Sequence, residues 1–158
     1  MKISKLKLLK IGETLKDFKC LIPRFNEVKD DKELLREFCS RNRNPIWDLT
    51  NIKYFKTGLK SDRLIESGEI GKDDHYIQRS LCMEIIFRKF SDNPDMSVEG
   101  FIDLLRTYSS TIQLTKEEHK RITLHTKNTY VMNYLVYDEV GIKVKGLNDI
   151  IDSSPRFC

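Results

Sequence analysis

The stretch TIQLTKEEHKRI, which runs from Thr111 to Ile122, decides most about how this chain folds. Its first four residues predict a short strand. Thr115 and Glu118 then have the spacing of a capping box, in which the threonine hydroxyl accepts from the backbone N–H of the glutamate and the glutamate side chain reaches back. A helix should therefore begin here, with His119 about one turn inside it.

A second stretch, DDHYIQRS at residues 73–80, places Asp74 directly before His75 and ends on Arg79 and Ser80. The segment 67–71 predicts a turn that leads into it. The chain has three histidines, at positions 75, 119 and 125, so two of the three fall in these two stretches.

The remaining pattern favours a mixed α+β fold that is predominantly helical. Apolar residues at helical spacing, with capping residues before them, predict helices at 32–39 (capped by Asp30 or Asp31), 81–90, 97–108 (capped by Ser97) and 128–140. Residues 2–10 favour a strand or an amphipathic turn, residues 46–58 favour a strand, and residues 141–146 favour an extended basic segment. We expect one small domain over 1–158, with a basic part at 1–60, a candidate core at 70–125 and a C-terminal helix and tail at 126–158.

Together the two stretches resemble the HNH (ββα-metal, or His-Me finger) endonucleases of the phage or mobile-element kind. The resemblance covers residues 73–82 and 108–125. It implies that His75 is the general base, that Asp74 and His119 bind a divalent metal ion, and that Arg79 clamps the scissile phosphate. The fold that the resemblance implies for this part of the chain is a ββα-metal-like finger.

The chain departs from the family pattern at three points. Ser110 stands where members usually carry an asparagine, and Thr123 stands where many carry a further histidine. His75 and His119 lie 44 residues apart, further than in the family's compact core. The helices at 81–90 and 97–108 would then be an insertion within the finger.

The implied chemistry is hydrolysis of phosphodiester bonds. A histidine with an ordinary pKa can activate the attacking water. A divalent ion, Mg²⁺ or Zn²⁺, can neutralise the phosphate and assist the leaving oxygen. One carboxylate and one imidazole leave coordination positions open for a phosphate oxygen and water, as catalysis requires.

Charge is distributed unevenly along the chain. Residues 1–60 hold 15 Lys and Arg against 8 Asp and Glu, a net of +7, whereas the remainder has a net of −3. A basic segment fits a polyanionic partner such as DNA, because neutralised phosphates release counterions. We expect phosphate contacts from Arg41 and Arg43, beside Trp47 as a stacking residue, and from Lys120 and Arg121 next to His119.

Plainer interpretations stay open at this point. His75 would be a histidine in a surface turn, residues 115–122 an ordinary capped helix, and Arg79 a solvent-exposed arginine. The protein would then be a non-catalytic nucleic-acid-binding module, an inhibitor of a host protein, or a metal-free relative of the nucleases that still binds DNA. Four scattered cysteines without a Cys-x-x-Cys pair, no secretory signal and no long apolar run favour a cytoplasmic protein that does not bind membranes, in a bacterium or a phage-infected cell.

Overall fold

The computed structural model describes residues 3–127 and 133–153, the last three of these by their backbone only, and helices predominate in it. Its α-helices are α1 (Lys5–Val28), α2 (Lys32–Asn42), α3 (Asn44–Thr50), α4 (Asp62–Ser67), α5 (Arg79–Asp92), α6 (Val98–Tyr108), α7 (Lys116–His125) and α8 (Leu147–Ser153). Its strands are β1 (Lys56–Lys60), β2 (Lys72–His75) and β3 (Thr111–Leu114), and 3-10 turns cover Lys53–Phe55 and Asn133–Val136. The predicted class, α+β and predominantly helical, is confirmed.

The chain divides into two compact units, and the first unit comprises residues 1–55 and 79–109. Helix α1 packs there against α2, α5 and α6. Their contact is aromatic, because the ring of Phe87 lies 5.3 Å from Phe18, 5.5 Å from Phe25 and 5.0 Å from Phe38, measured between centroids. All four rings are buried. Aromatic pairs at these separations add to the free energy of burial, so this cluster organises the first unit.

The second unit comprises residues 56–78 and 110–158, and it contains the sheet. The strand order is β1-β3-β2, with β1 parallel and β2 antiparallel to β3. Helix α7 follows β3 directly and packs on both β2 and β3. Two antiparallel strands and a helix laid across them form a ββα arrangement. In sequence, α5 and α6 stand between its two strands, as the insertion predicted from the motif spacing requires.

The local sequence signals that were strongest are confirmed. Asp31 caps α2 through its carboxylate, and Ser97 caps α6 through its hydroxyl. The buried helix predicted at 81–90 is the central part of α5, and it ends before Asn93-Pro94. Strand β3 has the predicted bounds. The turn at 67–71 is also present, since α4 ends at Gly68, which adopts the left-handed backbone conformation that glycine favours (φ 64°).

The prediction of a strand or an amphipathic turn at residues 2–10 is wrong where the structure describes them, because residues 5–10 begin α1; residue 2 lies outside the described part. Ser4 caps this helix by accepting from the backbone N–H of Lys7. The buried side chains of α1 recur at helical spacing over its whole length, at Ile11, Leu15, Phe18, Phe25 and Val28. That longer period determines the conformation, and the short alternation before it only places Leu6 and Leu9 on an exposed face.

Two further predictions need correction. Within 46–58, residues 46–50 belong to helix α3, because Pro45 suits the first helical turn and Ile46 and Leu49 are buried one turn apart; Lys53–Phe55 form a 3-10 turn, and only residues 56–58 join strand β1. Of the helix predicted at 128–140, residues 128–132 lie outside the described part, and 133–140 form a short 3-10 turn followed by turns. Helix α8 was not predicted.

Three cysteines lie in the described part of the chain, and none of them forms a disulfide there. Cys39 and Cys82 are buried and Cys20 is exposed; burial and, after it, the neighbouring Cys39 raise the pKa of Cys82. Cys82 therefore behaves as an inert core residue.

Among the described helices none has the length and apolar character needed to cross a bilayer.

Glu118 is a buried carboxylate that joins α7 to the rest of the second unit. Its Oε2 accepts from the Ser61 hydroxyl at 2.6 Å and from the backbone N–H of Thr115 at 2.9 Å. The Thr115 hydroxyl in turn accepts from the Glu118 N–H at 3.1 Å, which completes the predicted capping box. Ser61 also caps α4. One carboxylate therefore fixes the starts of two helices.

We predict that Glu118→Ala lowers the free energy of unfolding by about 2–3 kcal/mol, because it leaves buried donors without their charged acceptor. Urea denaturation followed by circular dichroism measures this. The matched control is Glu117→Ala, which removes an exposed carboxylate paired with Arg63 and should change stability by no more than about 0.5 kcal/mol. Equal losses in both variants would contradict the assignment.

Candidate metal and nuclease centre

Asp74 lies in strand β2, where its backbone is fixed by pairing with β3. It stands opposite Ile112 in the antiparallel register, and His75 stands opposite Thr111. The Asp74 side chain is only 6% exposed. A carboxylate that is withdrawn from water in this way needs partners in the fold. The structure supplies them from two later segments of the chain.

His119 is the first of these partners. The capping box starts α7 at Lys116, so His119 falls in the first turn and its ring lies above β2. His119 Nε2 is 3.8 Å from Asp74 Oδ1, and the imidazole is 39% exposed. This separation is too long for a hydrogen bond. The two groups therefore face each other across a short gap that opens towards solvent.

Tyr137 and Asn133 hold the other oxygen of Asp74. The Tyr137 hydroxyl donates to Asp74 Oδ2 at 2.6 Å, and Asn133 Nδ2 lies 3.4 Å from the same oxygen. Asn133 Nδ2 also donates to the backbone carbonyl of His75 at 2.9 Å. Both residues lie outside the two motif stretches of the sequence. A buried amide and a buried phenol thus orient the carboxylate so that Oδ1 points at His119.

The pKa of Asp74 is raised, and burial is the main cause. The hydrogen bond from Tyr137, the charge of His119 and the hydrogen bond from Asn133 all act in the opposite sense and offset part of that rise. Burial also raises the pKa of Tyr137, as does the neighbouring Asp74, so the phenol stays a donor. The ionised carboxylate is therefore costly in the fold, and a cation beside Oδ1 would relieve that cost.

His75 ends strand β2 and is buried, at 8% exposure. The interpretation as a surface-turn histidine is therefore wrong. Consecutive strand residues direct their side chains to opposite faces of a sheet, so Asp74 and His75 leave β2 in different directions. The Asn133 amide ties the two positions together through the backbone of one and the carboxylate of the other.

The donor set at Asp74 and His119 fits a divalent cation. Two atoms that bind one ion tetrahedrally at about 2.1 Å lie about 3.4 Å apart, so the observed 3.8 Å needs only a small side-chain shift. The held Oδ2 corresponds to the outer hydrogen bonds that orient metal-binding carboxylates. Within 3–127 and 133–150 no group of three His, Cys, Asp or Glu side chains could hold an ion, so this is a two-residue set with its remaining positions open.

The other predicted site residues have other surroundings. Arg79 belongs to the first unit, where its guanidinium lies over the ring of Trp47 at 5.4 Å, so it is not a free solvent arginine. Arg43 is in the same unit and donates to the Ser80 hydroxyl at 3.2 Å. Arg41 forms an exposed ion pair with Glu37.

On α7, the two predicted phosphate-binding residues differ from each other. Lys120 is exposed to solvent. Arg121, in contrast, is half-buried and donates from Nη1 to the carbonyl of Val140 at 2.6 Å. Arg121 therefore braces the segment after Tyr137. Glu117, on the same helix, pairs with Arg63 of α4.

We predict that Asp74→Asn raises the melting temperature at pH 7.5 in EDTA. Because the folded pKa of Asp74 lies above its unfolded value, the stability it contributes is full at low pH and is lost as pH rises. The gain over the native protein should therefore vanish near pH 4. Thermal scans at both pH values test this, with Asp73→Asn as the control, since that variant loses the partner of Lys56. A lower melting temperature for Asp74→Asn at pH 7.5 would contradict the prediction.

Comparison with known proteins leaves this geometry without a family. The chain was compared with protein-family models, with curated proteins and with solved structures, and none matches. Function has therefore to be inferred from the placement of Asp74, His75 and His119 in the ββα arrangement, and from the motif resemblance of residues 73–82 and 108–125.

Proposed function

We propose that this protein is a metal-dependent DNA endonuclease with an HNH-like centre. The observation that carries the proposal is the 3.8 Å approach of His119 Nε2 to Asp74 Oδ1, made by a helix laid on two antiparallel strands. These residues were singled out from motifs 44 positions apart. The histidine of the second motif thus meets the buried carboxylate of the first, as the motif resemblance implies.

In this proposal Asp74 and His119 hold a divalent cation, Mg²⁺ or Zn²⁺, which would neutralise charge on the scissile phosphate and assist the departing oxygen. The proposed general base, which takes the proton of the attacking water, is His75, the next residue of β2, whose side chain leaves the strand in a different direction from that of Asp74. Tyr137 and Asn133 keep Asp74 Oδ1 directed at the cation. Asn133 also fixes the backbone of the base, a task that the amide expected near position 110 would perform in the family.

The basic first part of the chain supports DNA as substrate. Residues 1–60 carry a net charge of +7, and they supply most of the first unit. A phosphodiesterase needs a hold on a polyanion before chemistry begins, and distributed lysines and arginines provide it without sequence preference. A phage or mobile-element nuclease of the cytoplasm would meet such a substrate directly.

Cleavage of supercoiled plasmid with Mg²⁺, Mn²⁺ or Zn²⁺, against EDTA, tests the proposal. We predict that His75→Ala, Asp74→Ala and His119→Ala each reduce cleavage by at least about a hundredfold, because the base or a ligand is lost. His125→Ala is the matched control: this histidine is exposed and paired with Glu139, and its loss should leave cleavage unchanged.

A second candidate function follows from the hydrogen bonds of Asp74. Tyr137 and Asn133 both bind its carboxylate, so Asp74 also has a structural task, namely to anchor the segment 133–137 on β2. A binding protein without catalysis, directed at nucleic acid or at a host protein, would need no more than that. Metal-independent DNA binding with no cleavage under any cation would favour this candidate. Cleavage that survives His75→Ala would remove His75 from the mechanism.

A further inference from the structure

Two arginines of the first unit converge at the start of helix α5. Arg43 lies between α2 and α3, and its Nη1 donates to the hydroxyl of Ser80, the second residue of α5. Arg79 is the first residue of that helix, and its guanidinium carbon lies 5.4 Å from the centre of the Trp47 ring. Two separate parts of the chain therefore bring positive charge to the start of α5.

Within the part of the chain that the structure describes, no carboxylate pairs with either arginine. Elsewhere in the described chain arginines pair with carboxylates, as in Arg24–Glu27, Arg63–Glu117 and Arg88–Glu84. Among the described residues no carboxylate lies within ion-pair distance of Arg43 or Arg79. The pKa of Arg79 is lowered, first by burial and then by the charge of Arg43. The two cations thus repel each other in a partly dehydrated setting.

The contacts of the two arginine side chains also restrict which ligand could relieve the repulsion between them. The contact with the Trp47 ring restricts the movement of the Arg79 guanidinium, and the hydrogen bond to Ser80 restricts that of Arg43. A guanidinium held in place presents its N–H groups as a fork that matches the oxygens of a phosphate. The N-terminus of α5, a helix of 14 residues, adds partial positive charge at the same point.

We propose that Arg43 and Arg79 bind a phosphate group of a nucleic-acid backbone at this arginine pair. The proposal deepens the proposed function and rests on its DNA-binding part, but not on metal chemistry. It gives Arg79 a task different from the clamp at the scissile phosphate expected from the motif. The first unit would hold the substrate through this pair, and the second unit would carry the candidate metal centre.

Fluorescence anisotropy of a labelled DNA duplex in EDTA, over a series of NaCl concentrations, tests the arginine pair without cleavage. We expect Arg43→Ala and Arg79→Ala each to weaken binding roughly tenfold. Each should also reduce the slope of log affinity against log salt by about one, because one phosphate contact is lost. Arg24→Ala is the matched control, since it removes the same charge from an exposed ion pair in the same unit.

Arg79→Lys keeps the experiment decisive if the alanine variant unfolds, because it retains the charge but loses the stacked fork; we expect it also to bind more weakly. Unchanged affinity and slope in Arg43→Ala and Arg79→Lys would overturn the proposal, as would losses equal to those of Arg24→Ala. Titration with inorganic phosphate by calorimetry distinguishes the source of the phosphate. Binding of inorganic phosphate without arginine-dependent binding of the duplex would also overturn it. Plasmid cleavage that Arg43→Ala and Arg79→Ala leave unchanged would also overturn the proposal for the arginine pair, and the nuclease proposal would still stand.

Discussion

The antiparallel pairing of β2 with β3 is the constraint on which the candidate centre depends. It places Asp74 opposite Ile112 and brings the start of the first motif beside the start of the second. Because α7 follows β3 without a linker of its own, the same pairing also sets where His119 can reach. A register slip of one residue would turn the Asp74 side chain to the other face of the sheet, away from His119.

The burial of Asp74 illustrates a conflict between stability and a binding site. A carboxylate at 6% exposure destabilises the fold when it is ionised, and Tyr137 and Asn133 offset this only in part. Such an arrangement is poor as a purely structural anchor, since an amide would serve there at lower cost. It is well suited to a site in which the missing stabilisation comes from a bound cation.

Short-range signals in the sequence predicted the local structure well, and long-range contacts account for what was missed. The capping box at Thr115, the caps at Asp31 and Ser97 and the apolar run of α5 need only neighbours within one or two turns, and they are present. The conformation of residues 2–10 was predicted wrongly, because the apolar residues whose helical spacing determines it lie further along α1. Asn133 and Tyr137 could not be found, because their relation to Asp74 exists only once β2 is folded. The predicted roles of His75, Asp74 and His119 remain proposals.

The position of Asn133 and Tyr137 after both motifs has a consequence for the order of assembly. During synthesis the first unit can bury its aromatic rings once residue 109 has been made, whereas the carboxylate of Asp74 has to wait for partners near the end of the chain. Prior folding of α5 and α6 would hold the ends of their segment and shorten the effective loop that β2 and β3 must close. The contacts of Asp74 with these two residues would thus form after the first unit has folded, so in a chain still on the ribosome the aromatic cluster would be buried before this carboxylate is held in place.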